Sequence, residues 1–319
     1  MMELDLGQVV RVSRAIADAF SSVVTSLDDF TDPRYYPPRG DSEEAVMRYF
    51  FFMVAIDHRT SRYGPFEDYI LGEKFHGADL LYRLGKLKYD EDPEFFSPER
   101  MSRIKVEEVS RWLRTSSGVV IWDPEVRAEL LRDAATKLLK YFGGSVSKLL
   151  SKCEWYIRHP RGAGLGNLIK VFKAYSDPVE KKMFLLVKFL GRRGLASFRD
   201  RHNIEVPVDN HLTRLALRLR IVKPSKELEA KIASRVAVSE VEDVEIRRSV
   251  RYAYKLVSKL SGIEPDVLDD FLWTFGRKFC KREEPACERG EKCPLGSSCP
   301  SYGRASHVVE HSFQDTFYY

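Results

Sequence analysis

Four of the five cysteines, Cys280, Cys287, Cys293 and Cys299, fall within the last forty residues, while Cys153 stands alone. Such a grouping obliges the C-terminal segment to fold around its own thiols. The spacing, C-x6-C-x5-C-x5-C, lacks the closely spaced cysteine pairs of structural zinc modules, yet it can wrap a larger inorganic group such as a [4Fe-4S] cluster. An iron–sulfur cluster is therefore the expected cofactor, with zinc as the alternative. Two disulfides would instead require an oxidising compartment or a hyperthermophile cytosol.

The rest of the chain reads as a globular protein of two lobes. At 319 residues and 44% hydrophobic content it can fill a sizeable core. The longest apolar run, Tyr49 to Ile56, is far too short to span a bilayer, and the N-terminus lacks the basic-then-apolar order of a signal peptide. No membrane association, a cytoplasmic location and a monomer are expected. Gln and Asn are confined to Gln8, Gln314, Asn167, Asn203 and Asn210, while charged residues reach 31%, the balance of a protein selected for high temperature. A net charge of +5 permits an anionic partner without requiring one.

Apolar positions recur at helical spacing almost throughout, and strand-like alternation is confined to Gly118–Trp122. The fold class is all-α. One helix is expected from Pro124, burying Val126, Leu130, Ala134 and Leu138 and stopping at Gly143-Gly144. Another opens at Asp41 with Glu44 completing a capping box and runs towards Asp57 and His58. A third opens at Asp177-Pro178, with Glu180 in its first turn. A fourth begins near Asp209 or Asn210, with Leu212, Leu215, Ala216 and Leu219 inward and Arg214 and Arg218 on an outer face. The fifth starts at Pro265 and leads into Cys280. Gly162–Gly166 reads as a connector between helices, because no strand precedes it. In order, residues 1–122 contribute to a first lobe, 123–222 form a helical lobe with a hairpin-like region, 223–279 return to the first lobe, and 280–319 form the cysteine loop and tail.

Candidate chemistry gathers at Val206-Pro207-Val208-Asp209-Asn210-His211. Asp209 is placed to cap a helix, and a carboxylate fixed there can also stabilise a developing cation or activate a water. Lys181 and Lys182 occupy the start of a helix, where the dipole disfavours positive charge. Burial and a neighbouring cation would lower a lysine pKa towards the neutral amine that attacks a sugar C1′, and either lysine fits. Asp57 and His58 can line a pocket beyond their helix, and His211 can touch a leaving base. Trp273 and the aromatic run Phe50–Phe52 are candidates for the stacking wall a purine needs.

A Lys, the segment VPVD-x-H about thirty residues later and the C-terminal cysteines together resemble the helix-hairpin-helix DNA glycosylase superfamily. The resemblance covers residues 145 to 222, and the cysteine segment is similar to the iron–sulfur loop of the endonuclease III branch. It implies a two-lobed glycosylase fold, Asp209 as the catalytic carboxylate, Lys182 or Lys181 as the nucleophile of a bifunctional enzyme, and DNA as the partner in base excision. Leu268–Trp273 looks like a helix of archaeal 8-oxoguanine glycosylases, which implies substrate-binding roles for Asp269 and Trp273. The chain departs from the superfamily at Ser176–Glu180, which sets carboxylates where a phosphate would dock, and in the middle cysteine spacer.

A second resemblance spans residues 42 to 319. Leu138-Leu139, Phe142–Ser145, the Asp209 helix, Leu272-Trp273 and Phe317–Tyr319 are similar to the queuosine salvage family, N-glycosidases that release a 7-deazaguanine base. It implies a modified purine nucleoside or nucleotide as substrate and needs no lysine. The expected activity is cleavage of a base–sugar bond, from DNA first and from a free nucleotide as the alternative. A cluster-bearing nucleic-acid-binding protein without catalysis is the third expectation.

Overall fold

The computed structural model describes residues 2–313 and 315–319. In chain order they form β1 (Met2–Leu4), α1 (Leu6–Val23), α2 (Glu43–Ala55), β2 (Glu67–Ile70), β3 (Glu73–His76), α3 (Ala78–Glu91), α4 (Pro98–Met101), α5 (Val106–Trp112), α6 (Pro124–Phe142), α7 (Val146–Lys152), α8 (Leu165–Leu168) and α9 (Lys181–Arg192). They continue with α10 (Asn210–Arg218), β4 (Val222–Pro224), α11 (Lys226–Ala233), α12 (Glu240–Ser261) and α13 (Pro265–Lys278). The mostly helical class expected from the sequence is what forms. No described helix is long and apolar enough to cross a membrane.

The chain divides into two compact units, one of residues 1–27 and 204–316, the other of residues 28–203 and 317–319. These limits do not coincide with the segment boundaries at 122, 222 and 279. Chain order alone cannot show that an N-terminal helix and a three-residue tail each join a unit remote in sequence.

In the first unit, α1 lies along α12. Its core runs from Val9, Val12 and Ile16 through Leu212, Leu215 and Ile246 to Phe271 and Phe275, and Cys280 and Leu295 of the cysteine segment belong to it. The long α12 starts at a capping box made by Ser239 and Glu242 and ends at Gly262 in the left-handed region. β1 pairs antiparallel with β4, Met2 opposite Pro224.

In the second unit α2 is the central rod. Val46, Met47 and every residue from Tyr49 to Ala55 are buried, so from Tyr49 onward the helix is apolar all round and must be surrounded. Phe50 packs on Phe189, Phe51 stacks on Tyr175, and Tyr49 meets Phe96 edge-on. Each buried phenyl ring contributes about 1.5–3 kcal/mol.

Local expectations fared unevenly. α6 starts at Pro124 and stops at Gly143 in the left-handed region, as its sequence requires. Glu44 does not cap its own helix; its carboxylate accepts from Val146 N at 2.7 Å and Ser147 N at 3.1 Å, capping α7 instead. The helix expected at Asp177-Pro178 begins at Lys181, because Glu180 takes a left-handed conformation, φ 63°, and interrupts it. Gly118–Trp122 forms no strand and contributes only an isolated bridge, Val120 to Arg114. Gly164 sits in the expected connector, where a side chain would strike the Ile157 carbonyl oxygen at 2.5 Å.

Candidate active site

In the first unit, Asp209 is the N-cap of α10. Its Oδ1 accepts from Leu212 N at 2.9 Å and its backbone carbonyl accepts from the Thr213 hydroxyl at 2.7 Å. The capping role fixes the carboxylate by one oxygen, while Oδ2 carries no hydrogen bond among the described residues and the side chain is half-buried. The next two residues share this state. Asn210 Oδ1 and His211 Nε2 are shielded polar atoms without a partner, so three consecutive side chains at one helix N-terminus hold unspent hydrogen-bonding capacity. Elsewhere in a folded core such groups are nearly always satisfied.

His211 reaches into a slot that only glycine can leave open. A Cβ placed on Gly276 of α13 would lie 1.9 Å from His211 Nε2. Burial lowers the His211 pKa, and the Asp209 charge opposes that shift. On the same helix Arg214 donates to His211 Nδ1 at 3.1 Å and pairs with Glu310 at 3.3 Å. Asp269 is buried on α13, and Trp273 of the same helix is part exposed with the Arg277 guanidinium 4.1 Å above its ring.

Arg214 and Arg218 are not on an outer face as their spacing of four residues suggested. Leu212 to Arg218 are all buried, because the cysteine segment and tail cover the side of α10 that the core does not. Arg218 is fully buried. Its guanidinium donates to the carbonyls of Val308, Cys280, Lys281 and Arg282 at 2.6–3.2 Å and to Cys280 Sγ at 3.3 Å. One side chain thus straps the loop to the helix that begins at Asp209. Sequence reading missed it because a lone arginine four residues from another resembles a solvated pair; its position directly ahead of a cysteine loop was the available signal.

None of the four loop cysteines is in a disulfide. They feel one another. Burial raises the Cys293 thiol to about 11 and Cys299 to about 12, and charge on Cys280 and Cys287 adds to both. Among the described residues no three His, Cys, Asp or Glu side chains are drawn together around a single ion. The donor set nonetheless suits a thiolate-bound group, since four sulfurs stand outside any disulfide, three of them, Cys280, Cys293 and Cys299, pack on the apolar core, and a guanidinium N–H is aimed at Cys280 Sγ. Much of the loop's basic charge is neutralised locally, with Arg282 on Glu310 and Glu283 and Arg289 on Glu291.

The lysine candidates lie in the second unit with Asp57 and His58. Lys182 is fully buried and donates to the Ala55 carbonyl at 2.6 Å; Lys181 donates to the Asp57 carbonyl at 3.0 Å and sits 3.6 Å from its carboxylate. Burial and then Lys181 hold the Lys182 amine well below its ordinary pKa, in the direction expected. Arg127, also fully buried, donates to the carbonyls of Trp122 and Arg59 at 2.9 and 2.6 Å and to that of Ile56. Three cations therefore serve the carbonyl end of α2, where the helix dipole favours them. His58 is buried among them with both ring nitrogens unpartnered, and burial followed by those cations keeps it neutral. Asp57 accepts from the Tyr82 hydroxyl at 3.2 Å.

At the start of α9 the anion seat is already taken. Asp177, fully buried, accepts from Val179 N at 2.9 Å and Lys181 N at 3.0 Å, and buried Glu180 pairs with Arg158 and Lys170. No family model matches the chain, and no curated protein matches it.

Proposed function

We propose that this protein is an N-glycosidase of the helix-hairpin-helix glycosylase type, cleaving the bond between a modified purine and its sugar. One observation carries the reading: Asp209 is anchored through Oδ1 and offers Oδ2 from a half-buried position. As the C1′–N bond breaks, its electron pair leaves with the base and the sugar becomes cationic. The carboxylate stabilises that cation and takes a proton from the water that adds to C1′. Lys182 supplies the neutral amine a lyase step needs, but its Nζ is sealed and bonded to Ala55, which favours hydrolysis alone. Borohydride trapping that disappears in Lys182→Arg but not in Lys181→Arg would restore the lyase step.

Cys280, Cys287, Cys293 and Cys299 would hold a [4Fe-4S] cluster, with zinc as the alternative. Such a group supplies rigidity to the loop and, if redox-active, an electron store. Anaerobically purified protein should be brown, with four irons per chain on the favoured reading, in line with the cluster's composition.

DNA is the first substrate class. Support comes from an open groove of about 670 Å³ in the first unit, lined by Arg11, Arg14 and Lys292 with Asp18 the one acid, beside the cysteine loop. A specific observation favours the second reading, a free deazapurine nucleotide: Asp177 fills the N-terminal seat of α9 that would otherwise take a backbone phosphate. The deciding experiment is a base-release screen on duplexes and nucleosides with wild type and Asp209→Asn. Release lost in the variant supports the enzyme with Asp209 at its centre; equal release removes Asp209 from the chemistry, and no release from any substrate by either protein, alongside tight binding, leaves a binding protein. Duplex affinity that falls steeply with salt selects DNA.

A further inference from the structure

The hydrogen bond between Arg214 and His211 decides more than position. A guanidinium can only donate, so His211 Nδ1, 3.1 Å from Arg214 Nη2, must accept and the ring must carry its proton on Nε2. Arg214 is held in turn. Glu310 receives Arg214 on Oε2 at 3.3 Å and Arg282 of the cysteine loop on Oε1 at 2.7 Å; the Arg214 side chain is buried, while that of Arg282 is half-exposed.

We propose that Glu310 is a positioning residue for the Asp209 site, holding Arg214 so that His211 stays a neutral Nε2–H imidazole beside the carboxylate. This rests on the N-glycosidase reading for its purpose and on the geometry for its substance. A protonated His211, or an unneutralised Arg214, would set a positive charge near Asp209 and cancel the field that a cationic sugar requires. A neutral imidazole donates a hydrogen bond without that charge. Because Glu310 takes Arg282 from between Cys280 and Cys287, the order of the cysteine loop and the state of His211 share one carboxylate. Glu310 lies close to the C-terminus and gave no signal in the sequence, being neither in a motif nor on a helix.

The test uses full-length protein labelled with ¹⁵N-histidine, His211 being assigned by loss of its signals in His211→Gln. Long-range proton–nitrogen spectra of wild type should show His211 as a single Nε2–H tautomer at neutral pH. In Glu310→Gln, which keeps the shape but offers an amide N–H to one arginine, and in Arg214→Lys, which cannot reach both partners, a second tautomer or the imidazolium should appear. In base release Glu310→Gln should lower kcat about tenfold with KM changed less than about twofold, the scale expected for loss of a group that orients a site residue. An Nδ1–H tautomer in wild type, or an undisturbed His211 in both variants, overturns the proposal even if neither variant is fully stable. Absence of base release in every variant with the tautomer pattern as expected would instead sink the glycosidase reading and leave the positioning role standing.

Discussion

The turn at Asp209–His211 and the cations around Asp57 spend their hydrogen-bonding capacity in opposite ways, although His58 in the second cluster shares the unpartnered state of His211. At Asp209 the backbone of α10 takes one carboxylate oxygen and leaves the other, along with Asn210 Oδ1 and His211 Nε2, without a partner. At the end of α2 the two lysines and Arg127 are spent on carbonyls that have no helical partner. The lowered pKa of Lys182, taken alone, would put that lysine first as the functional group. Hydrogen-bond accounting reverses the order, because a group already committed to the backbone must break a buried bond before it can react.

The largest expected effect separates the two sites outright. Asp209→Ala should reduce base release by about 10²–10⁴-fold, the range for a general base, and cost about 1 kcal/mol of stability through the lost cap. Asp209→Asn should lose the activity and keep the cap. Thermal melting and single-turnover release on both variants check this; comparable activity in wild type and Asp209→Asn would make the carboxylate a cap and nothing else.

On the other side, Arg127→Met should cost about 3 kcal/mol, because carbonyls of Trp122 and Arg59 are left buried without donors. Per folded molecule, base release should not change. Urea denaturation measures the first and active-site titration the second. A stable variant with lost activity would move Arg127 from the fold to the chemistry and erase the contrast.

Gly276→Ala probes the Asp209 side more gently. The added methyl cannot coexist with His211 Nε2 at 1.9 Å, so the ring or α13 must shift, at about 1–3 kcal/mol. His211 should lose protection from solvent, visible as faster modification by diethyl pyrocarbonate. Unchanged reactivity would place the strain in α13 rather than in the ring.

The sequence made legible those features that chemistry close in the chain decides. Pro124 and Gly143 bracket α6, Asp209 caps α10 and Pro265 opens α13. What it hid depends on distant partners. β1 exists only because Val222–Pro224 lies beside Met2–Leu4. Glu44 abandoned its capping box because the start of α7 offered two free N–H groups. Arg127 and Arg218 are buried against the prior for arginine, each because a cluster of carbonyls from another segment arrives at its guanidinium. The α12 helix was the plainest omission, since Ser239 and Glu242 carry a capping box in the sequence itself.

The smallest effect is seen only in acid, and it tests whether the second site is sealed. His58 has a folded pKa well below 6.5, chiefly from burial and then from Arg127, Lys182 and Lys181. The unfolded chain therefore binds a proton that the folded one refuses as pH drops through 6.5, so the stability present above that pH declines below it, by up to about 1.4 kcal/mol per pH unit. His58→Phe removes the titrating group and two unpartnered nitrogens while filling similar space. It should match or exceed wild-type stability near neutrality and show a flatter loss between pH 6.5 and about pH 5 in denaturant titrations. An equal slope in both proteins would mean that His58 takes up its proton in the folded state, and that water or a ligand reaches the end of α2 after all.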